Sequence, residues 1–129
     1  MTALQDAIAG RYTPNPVVWK LIRNWRSSYR LALVNNGASA TFRRWVKKYG
    51  WEYIFNVIAN SEELRLSKPD PEFFTTVATG LKLPPQDCIL VDDDQLNLEG
   101  ARSCGMGAIH PSEFNSNDAL LEETLSGQL

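Results

Sequence analysis

A four-residue apolar run, Cys88-Ile89-Leu90-Val91, ends abruptly in three consecutive carboxylates, Asp92, Asp93 and Asp94. A stretch with helical spacing follows. A short apolar run bounded by polar residues has the length and composition of a strand buried on both faces, the kind that parallel sheets use. In open α/β sheets, ligands bind in the crevice outside the carboxyl ends of the strands. The aspartates therefore fall where a site forms. Clustered carboxylates suit a hard cation such as Mg2+, which prefers oxygen ligands and keeps part of its water shell. An acidic, solvated strand-to-helix loop would read the same way, so the rest of the chain has to decide.

Strand and helix signals alternate along that chain. Thr2 is placed to cap a helix over residues 3–9, with Gly10 as its terminator. Pro16 suits the first turn of a helix over 16–28, where Val18, Leu21, Ile22 and Trp25 recur at helical spacing. Leu31 to Val34 reads as a strand ending in the turn Asn35-Asn36-Gly37. Ser39 is a cap for a helix over 40–49, terminated by Gly50, with Phe42, Trp45, Val46 and Tyr49 inward. Its outer residues Arg43, Arg44, Lys47 and Lys48 read as a solvated face. Trp51 to Phe55 reads as a helical turn, and Val57 to Ala59 as a strand ending at Asn60-Ser61. Asp70-Pro71 opens a helix over 71–81 with Phe74, Val77, Ala78 and Leu81 on one side. Pro84-Pro85 breaks the chain before the 88–91 strand. A helix over 95–104 ends at Gly105, a strand follows at 108–110, and Asp118 is a cap for a terminal helix.

Strands alternating with helices imply βαβ units, a parallel sheet and a three-layer α/β sandwich. Counting the four strands along the chain, the expected order is 2-1-3-4. At 129 residues the expectation is one domain, with a helical segment at 1–29, a core at 30–112 and a helix or tail at 113–129. A net charge of −2 exerts no global pull on nucleic acid or anionic membranes, and no apolar stretch approaches a membrane span. Cys88 and Cys104 lack metal-ligand spacing and read as free thiols of a reducing cytoplasm. His110, the one histidine, reads as a strand-end residue, and the four tryptophans as core or interface.

Three polar groups stand at the carboxyl side of successive strands: Asn35/Asn36, Lys68 and Asp92/Asp93. The amides and neighbouring N–H groups can hold phosphate oxygens, lysine supplies a compact positive charge, and the carboxylates can hold a metal. Together they would make a phosphoryl site.

Leu31-Ala-Leu-Val-Asn-Asn-Gly37, Leu66-Ser-Lys-Pro-Asp-Pro-Glu-Phe-Phe74 and Ile89-Leu-Val-Asp-Asp-Asp-Gln-Leu-Asn-Leu-Glu-Gly-Ala-Arg-Ser-Cys-Gly-Met106 resemble the second, third and fourth motifs of the haloacid dehalogenase superfamily of hydrolases. The resemblance runs over residues 16–112. It implies a Rossmann-like core, phosphatase-type chemistry through an aspartyl-phosphate, Mg2+ and a phosphorylated small molecule as substrate. By residue, it implies phosphate contacts from Asn35, Asn36 and Lys68 and metal contacts from Asp92 and Asp93.

The family's first motif, Asp-x-Asp at the end of an N-terminal strand, has no counterpart before residue 31. Asp6, the only acid there, stands in a helix-like stretch. That motif supplies the nucleophile, the general acid/base and the central strand. A hydroxyl residue of the second motif is replaced by Asn35, and the cap domain is absent or reduced to residues 1–29. Reading Asp92 to Asp94 as the first motif needs a permuted chain order, and a receiver domain fails on order too. The expectation is a truncated core lacking its first strand, with remnants of a Mg2+ and phosphate site, and not a competent phosphatase alone. The alternatives are a phosphohydrolase completed by another chain, and a non-catalytic binding or assembly module. Apolar surface bared by the missing strand would favour a homodimer with a tryptophan-containing interface.

Overall fold

In a computed structural model the chain is described over residues 2–5 and 16–114. Five parallel strands, β1 (Thr2–Gln5), β2 (Leu31–Asn35), β3 (Val57–Asn60), β4 (Ile89–Val91) and β5 (Gly107–Ile109), form one sheet in the order β3-β2-β1-β4-β5. The helices are α1 (Pro16–Trp25), α2 (Ser39–Tyr49), the single turn α3 (Ser61–Leu64), α4 (Pro71–Leu81) and α5 (Gln95–Ser103), with short 3-10 turns at Trp51–Tyr53, Pro85–Asp87 and Pro111–Phe114.

The four strands expected from the sequence keep their expected order, but β1 is inserted at the centre. It pairs with β2 from Thr2↔Leu31 to Gln5↔Val34, and with β4 from Thr2↔Ile89 to Leu4↔Val91. The expected absence of the first strand is thereby corrected, as is the expected helix where it begins at residues 3–5. Ala, Leu and Gln are good helix formers, so three of the four residues favour a helix, and Thr2 alone is too little to signal a strand. Pairing on both edges overrides that preference. The remainder of the 3–9 helix and the terminal helix capped by Asp118 lie outside the described residues.

Alternation along the strands divides the core into two layers. Leu31, Leu33, Ile89 and Val91 face α1 and α2, where they meet Ile22, Trp25, Phe42, Val46 and Trp51. Ala32, Val34 and Leu90 face α4 and α5, against Phe73, Phe74, Val77, Leu81 and Leu98. Both faces are covered, which explains why β2 from Leu31 to Val34, and all of β4, are apolar without interruption. Trp25 and Trp51 are 4% and 2% exposed within the single chain, and β1 fills the gap that motivated dimerisation. Trp45 packs partly buried against the same cluster, whereas Tyr49 is 39% exposed and stacks on Trp51.

Cap chemistry sets several boundaries. Asp70 accepts from the Glu72 N–H and Asp94 from the Leu96 N–H, each opening a helix. Gly50 ends α2 in the left-handed region at φ 66°. Ser39, expected as the cap of α2, is instead its first residue: the cap position is Ala38, which makes no side-chain bond. The Ser39 hydroxyl donates to Glu63. Among the described residues no helix is long and apolar enough to cross a membrane.

Candidate phosphate site at the carboxyl ends of the strands

The sheet runs outward to β3 through β2, then resumes on the other side of β1 with β4. The strand order therefore reverses beside β1, and ligand crevices form at such reversals. Around this point the described chain concentrates its buried polar groups: Asn35, Asn60, Lys68, Asp92 and Asn97. Burial without partners is costly, so each group's partners define the site.

On the β4 side, Asp92 is fully buried. One of its oxygens, Oδ1, accepts the Asp94 N–H at 2.7 Å. Its Oδ2 accepts from Asn97 Nδ2 at 3.1 Å and faces Lys68 Nζ at 3.5 Å. That ion pair is longer than the ~2.7–2.9 Å of a charge-assisted hydrogen bond. Burial pushes the Asp92 carboxyl above its ordinary value, against the opposing pull of Lys68 and the Asp94 and Asn97 donors. Asp93, next in sequence, is exposed, and Asp94 is committed to capping α5.

The position of Lys68 is set by its backbone. Asn36 donates Nδ2 to the Lys68 carbonyl and accepts the Lys68 N–H on Oδ1, both at 3.0 Å. This two-way bond ties the segment before α4 to the turn after β2. From the other side, Gly100 of α5 lies so close to the Pro69 carbonyl that a Cβ there would overlap it. Asn36, expected to hold phosphate, is seen to hold the backbone of Lys68.

On the β2–β3 side, Asn35 and Asn60 end their strands in register and are bonded to each other, Asn60 Nδ2 donating to Asn35 Oδ1 at 2.6 Å. A small cleft of about 190 Å3 opens here, lined by Asn35, Asn36, Gly37, Thr41 and Trp45 among others. A larger cleft of about 470 Å3 also borders Gly37, with Ser61, Glu62, Arg65 and Asp70 on its walls, and neither cleft is lined by Lys68 or Asp92.

All five residues expected from the sequence stand at the carboxyl edge, and Asn35, Lys68 and Asp92 are buried there. The sequence reading missed Asn60 and Asn97. A polar residue ending an otherwise apolar strand, and an Asn three residues after a helix cap on the inward face, were the available signals. His110 is a local residue, its Nδ1 accepting the Ser112 N–H at 3.0 Å.

A family model of the haloacid dehalogenase-like hydrolases matches residues 4–105. The chain belongs to that family. Over 80 residues it is 30% identical to a bifunctional riboflavin kinase/FMN phosphatase of Arabidopsis thaliana, covering 61% of this chain and 21% of that protein. Over 107 residues it is 22% identical to a fructose-1-phosphate phosphatase of Escherichia coli (strain K12), covering 83% of this chain and 56% of the other. It thus spans about a fifth to just over half the length of these two phosphatases. In three dimensions it resembles a family enzyme of Bacteroides thetaiotaomicron in complex with magnesium and inorganic phosphate, with TM-score 0.69 and 23% identity over 83% of this chain and 58% of that one. An uncharacterised protein of Corynebacterium glutamicum matches with TM-score 0.70 and 23% identity over 98% of this chain and 93% of its own.

Proposed function

We propose that this hydrolase-family chain binds a phosphorylated small molecule at the carboxyl ends of β1, β2 and β4, and that any turnover is slow. The supporting observation is the burial of the Lys68–Asp92 pair and of Asn35 at the ends of the strands that flank β1, where the strand order reverses. The Lys68 ammonium and the Asn35/Asn36 turn would carry the phosphate charge. The activities of the two phosphatases above are consistent with such a ligand.

Mg2+ is implied by the family, and the oxygen donors present decide how it could be held. Asp92 receives three N–H donors, so one of its about four lone-pair sites remains. Among the described residues no group of three His, Cys, Asp or Glu could hold a metal. Mg2+ commonly binds through one or two carboxylates with water and substrate phosphate, so Asp92 and Asp93 suit a weak, partial shell. When bound there, the ion would offset phosphate charge.

With β1 in the sheet, a second chain is no longer needed to supply the central strand. The residue after Gln5 in the sequence is Asp6, the sole acid among residues 1–30. We assign it as the nucleophile: its carboxylate would attack phosphorus, and the ester oxygen would leave with the bonding pair and take a proton from water. Water would then attack the phosphorus of the aspartyl-phosphate, break its bond to Asp6, release inorganic phosphate and restore the carboxylate. A missing base slows this second step most for a good leaving group. Two residues on, where the family's motif has its acid/base, stands Ile8. Loss of a general acid/base costs about 100- to 10,000-fold in rate. Steady-state hydrolysis of p-nitrophenyl phosphate with Mg2+ should therefore be slow, and should fall to the blank in Asp6→Asn. Residual turnover that survives repurification and Asp6→Asn but not Asp92→Asn would overturn the assignment.

A further inference from the structure

We propose that Asn60 is a positioning residue: it fixes which end of the Asn35 amide is offered to a bound phosphate, so that the nitrogen donor faces the ligand. This rests on the phosphate-site reading above. An amide has a donor end and an acceptor end, and rotating it by half a turn exchanges them without changing its shape. A hydroxyl, which the family resemblance expects at this position, simply rotates to suit its partner. Asn35 therefore needs an external reference that a hydroxyl does not.

The hydrogen bonds supply one, step by step. α3 begins at Ser61, and its first N–H groups have no partner within the helix. Asn60 Oδ1 accepts two of them, from Glu62 at 3.0 Å and Glu63 at 3.1 Å. Backbone N–H groups can only donate, so the Asn60 oxygen must face the helix. Its nitrogen must then face the other way, where it donates to the Gly37 carbonyl at 3.1 Å. A carbonyl can only accept, so this second contact fixes the same orientation independently. The same nitrogen reaches Asn35 at 2.6 Å, which obliges Asn35 to present its oxygen to Asn60. The Asn35 nitrogen is thereby turned away from β3, and the strand on the other side of β2 is β1. Asn60 and Asn35 are 0% and 2% exposed, so water cannot substitute for either partner. Asn35 lines the 190 Å3 cleft, and the oxygens of a phosphate accept hydrogen bonds from a donor but repel an amide oxygen.

Asn60→Asp separates orientation from folding. The carboxylate still accepts from Glu62 and Glu63, keeping the cap, but cannot donate to Asn35. The Asn35 amide should then turn to donate towards Asp, directing its oxygen at the ligand. With Mg2+ present, the inorganic phosphate Kd measured by calorimetry should rise about tenfold, the scale of one hydrogen bond to a charged group. In an Asn35→Ser background the same change should alter Kd less than about twofold, because the hydroxyl reorients freely. An unchanged Kd in the single variant, or equal losses in both backgrounds, would overturn the proposal, since added charge or a looser fold acts on both alike. Should Asn60→Asp fail to fold, the wild-type side-chain amide signals decide. Phosphate should shift the Asn35 NH2 resonances, identified by their loss in Asn35→Ser, and leave those of Asn60 in place; the reverse pattern would refute it. Wild-type protein that binds no phosphate at millimolar concentration refutes the phosphate site itself, and the positioning role with it.

Discussion

The two limbs of the site are built by different physics. At the ends of β2 and β3 the groups are neutral amides, and hydrogen-bond direction places them: Asn60 on α3, Asn35 on Asn60, and Asn36 on Lys68. At the end of β4 the groups are charged, and the cost of burying charge governs them: Asp92 is 0% exposed and its carboxyl is pushed up by burial. The neutral limb has little to lose in free energy but much in geometry. The ionic limb has much to lose in both. The comparison says where a substitution should register as stability and where as ligand affinity.

The largest effect is expected on the ionic limb. Asp92→Ala breaks the buried ion pair by removing the carboxylate that faces the Lys68 ammonium, a change that costs about 3–5 kcal/mol; urea unfolding should show it as a large drop in midpoint. Asp92→Asn keeps the shape and isolates the charge. The folded chain holds the Asp92 proton to higher pH than the unfolded chain does. That contribution is full below the ordinary carboxylate range and is lost as pH rises through the raised value. The wild type should show this falling component between those limits, and Asp92→Asn should lack it.

This limb was the more legible in the sequence. Asp92 follows an apolar strand and Lys68 precedes Pro69-Asp70-Pro71, and charged residues beside such punctuation stand out. The neutral limb was only half legible. Asn35 and Asn36 were visible as a turn, but Asn60 acts through a partner 25 residues away that meets it only across the β2–β3 register. β1 was illegible for a related reason: Thr2 to Gln5 become a strand by being enclosed on both edges, and nothing within the four residues announces it. The role of Gly100 is likewise tertiary: it lies within a helix, and only its close approach to the Pro69 carbonyl, well back in the chain, requires a glycine there.

The next effect tests the join between the limbs. Gly100→Val places a branched side chain against the Pro69 carbonyl, and the strain should cost about 1–3 kcal/mol by thermal unfolding. Because the displaced segment carries Lys68, phosphate affinity should fall as well. On the neutral limb, Asn36→Ala removes both bonds to the Lys68 backbone, at a cost of about 1–2 kcal/mol in a partly exposed position. Its mark should be a larger proportional loss of phosphate binding than of stability.

The smallest effect lies outside both limbs and has the opposite pH sign to Asp92. Arg43 holds the Glu63 carboxyl down at about 2, chiefly through a side-chain hydrogen bond. Stability from that pair is present above the ordinary Glu range and is lost as pH falls towards about 2. The pair is partly exposed, so solvent screening limits it to about 0.2–1 kcal/mol. Acid unfolding of Glu63→Gln should begin from a slightly less stable protein near neutrality and converge on the wild type near pH 2.

A titration of isotopically labelled protein with inorganic phosphate and Mg2+, followed by backbone amide shifts, tests the location of the site most directly. The proposed site has the anion at the ends of β2 and β4, so the shifts should concentrate at Asn36, Gly37, Asp93 and Asp94. Shifts confined to Arg65, Leu66 and Ser67 would put the anion in the larger cleft beyond Gly37 and contradict a site built around Lys68 and Asp92.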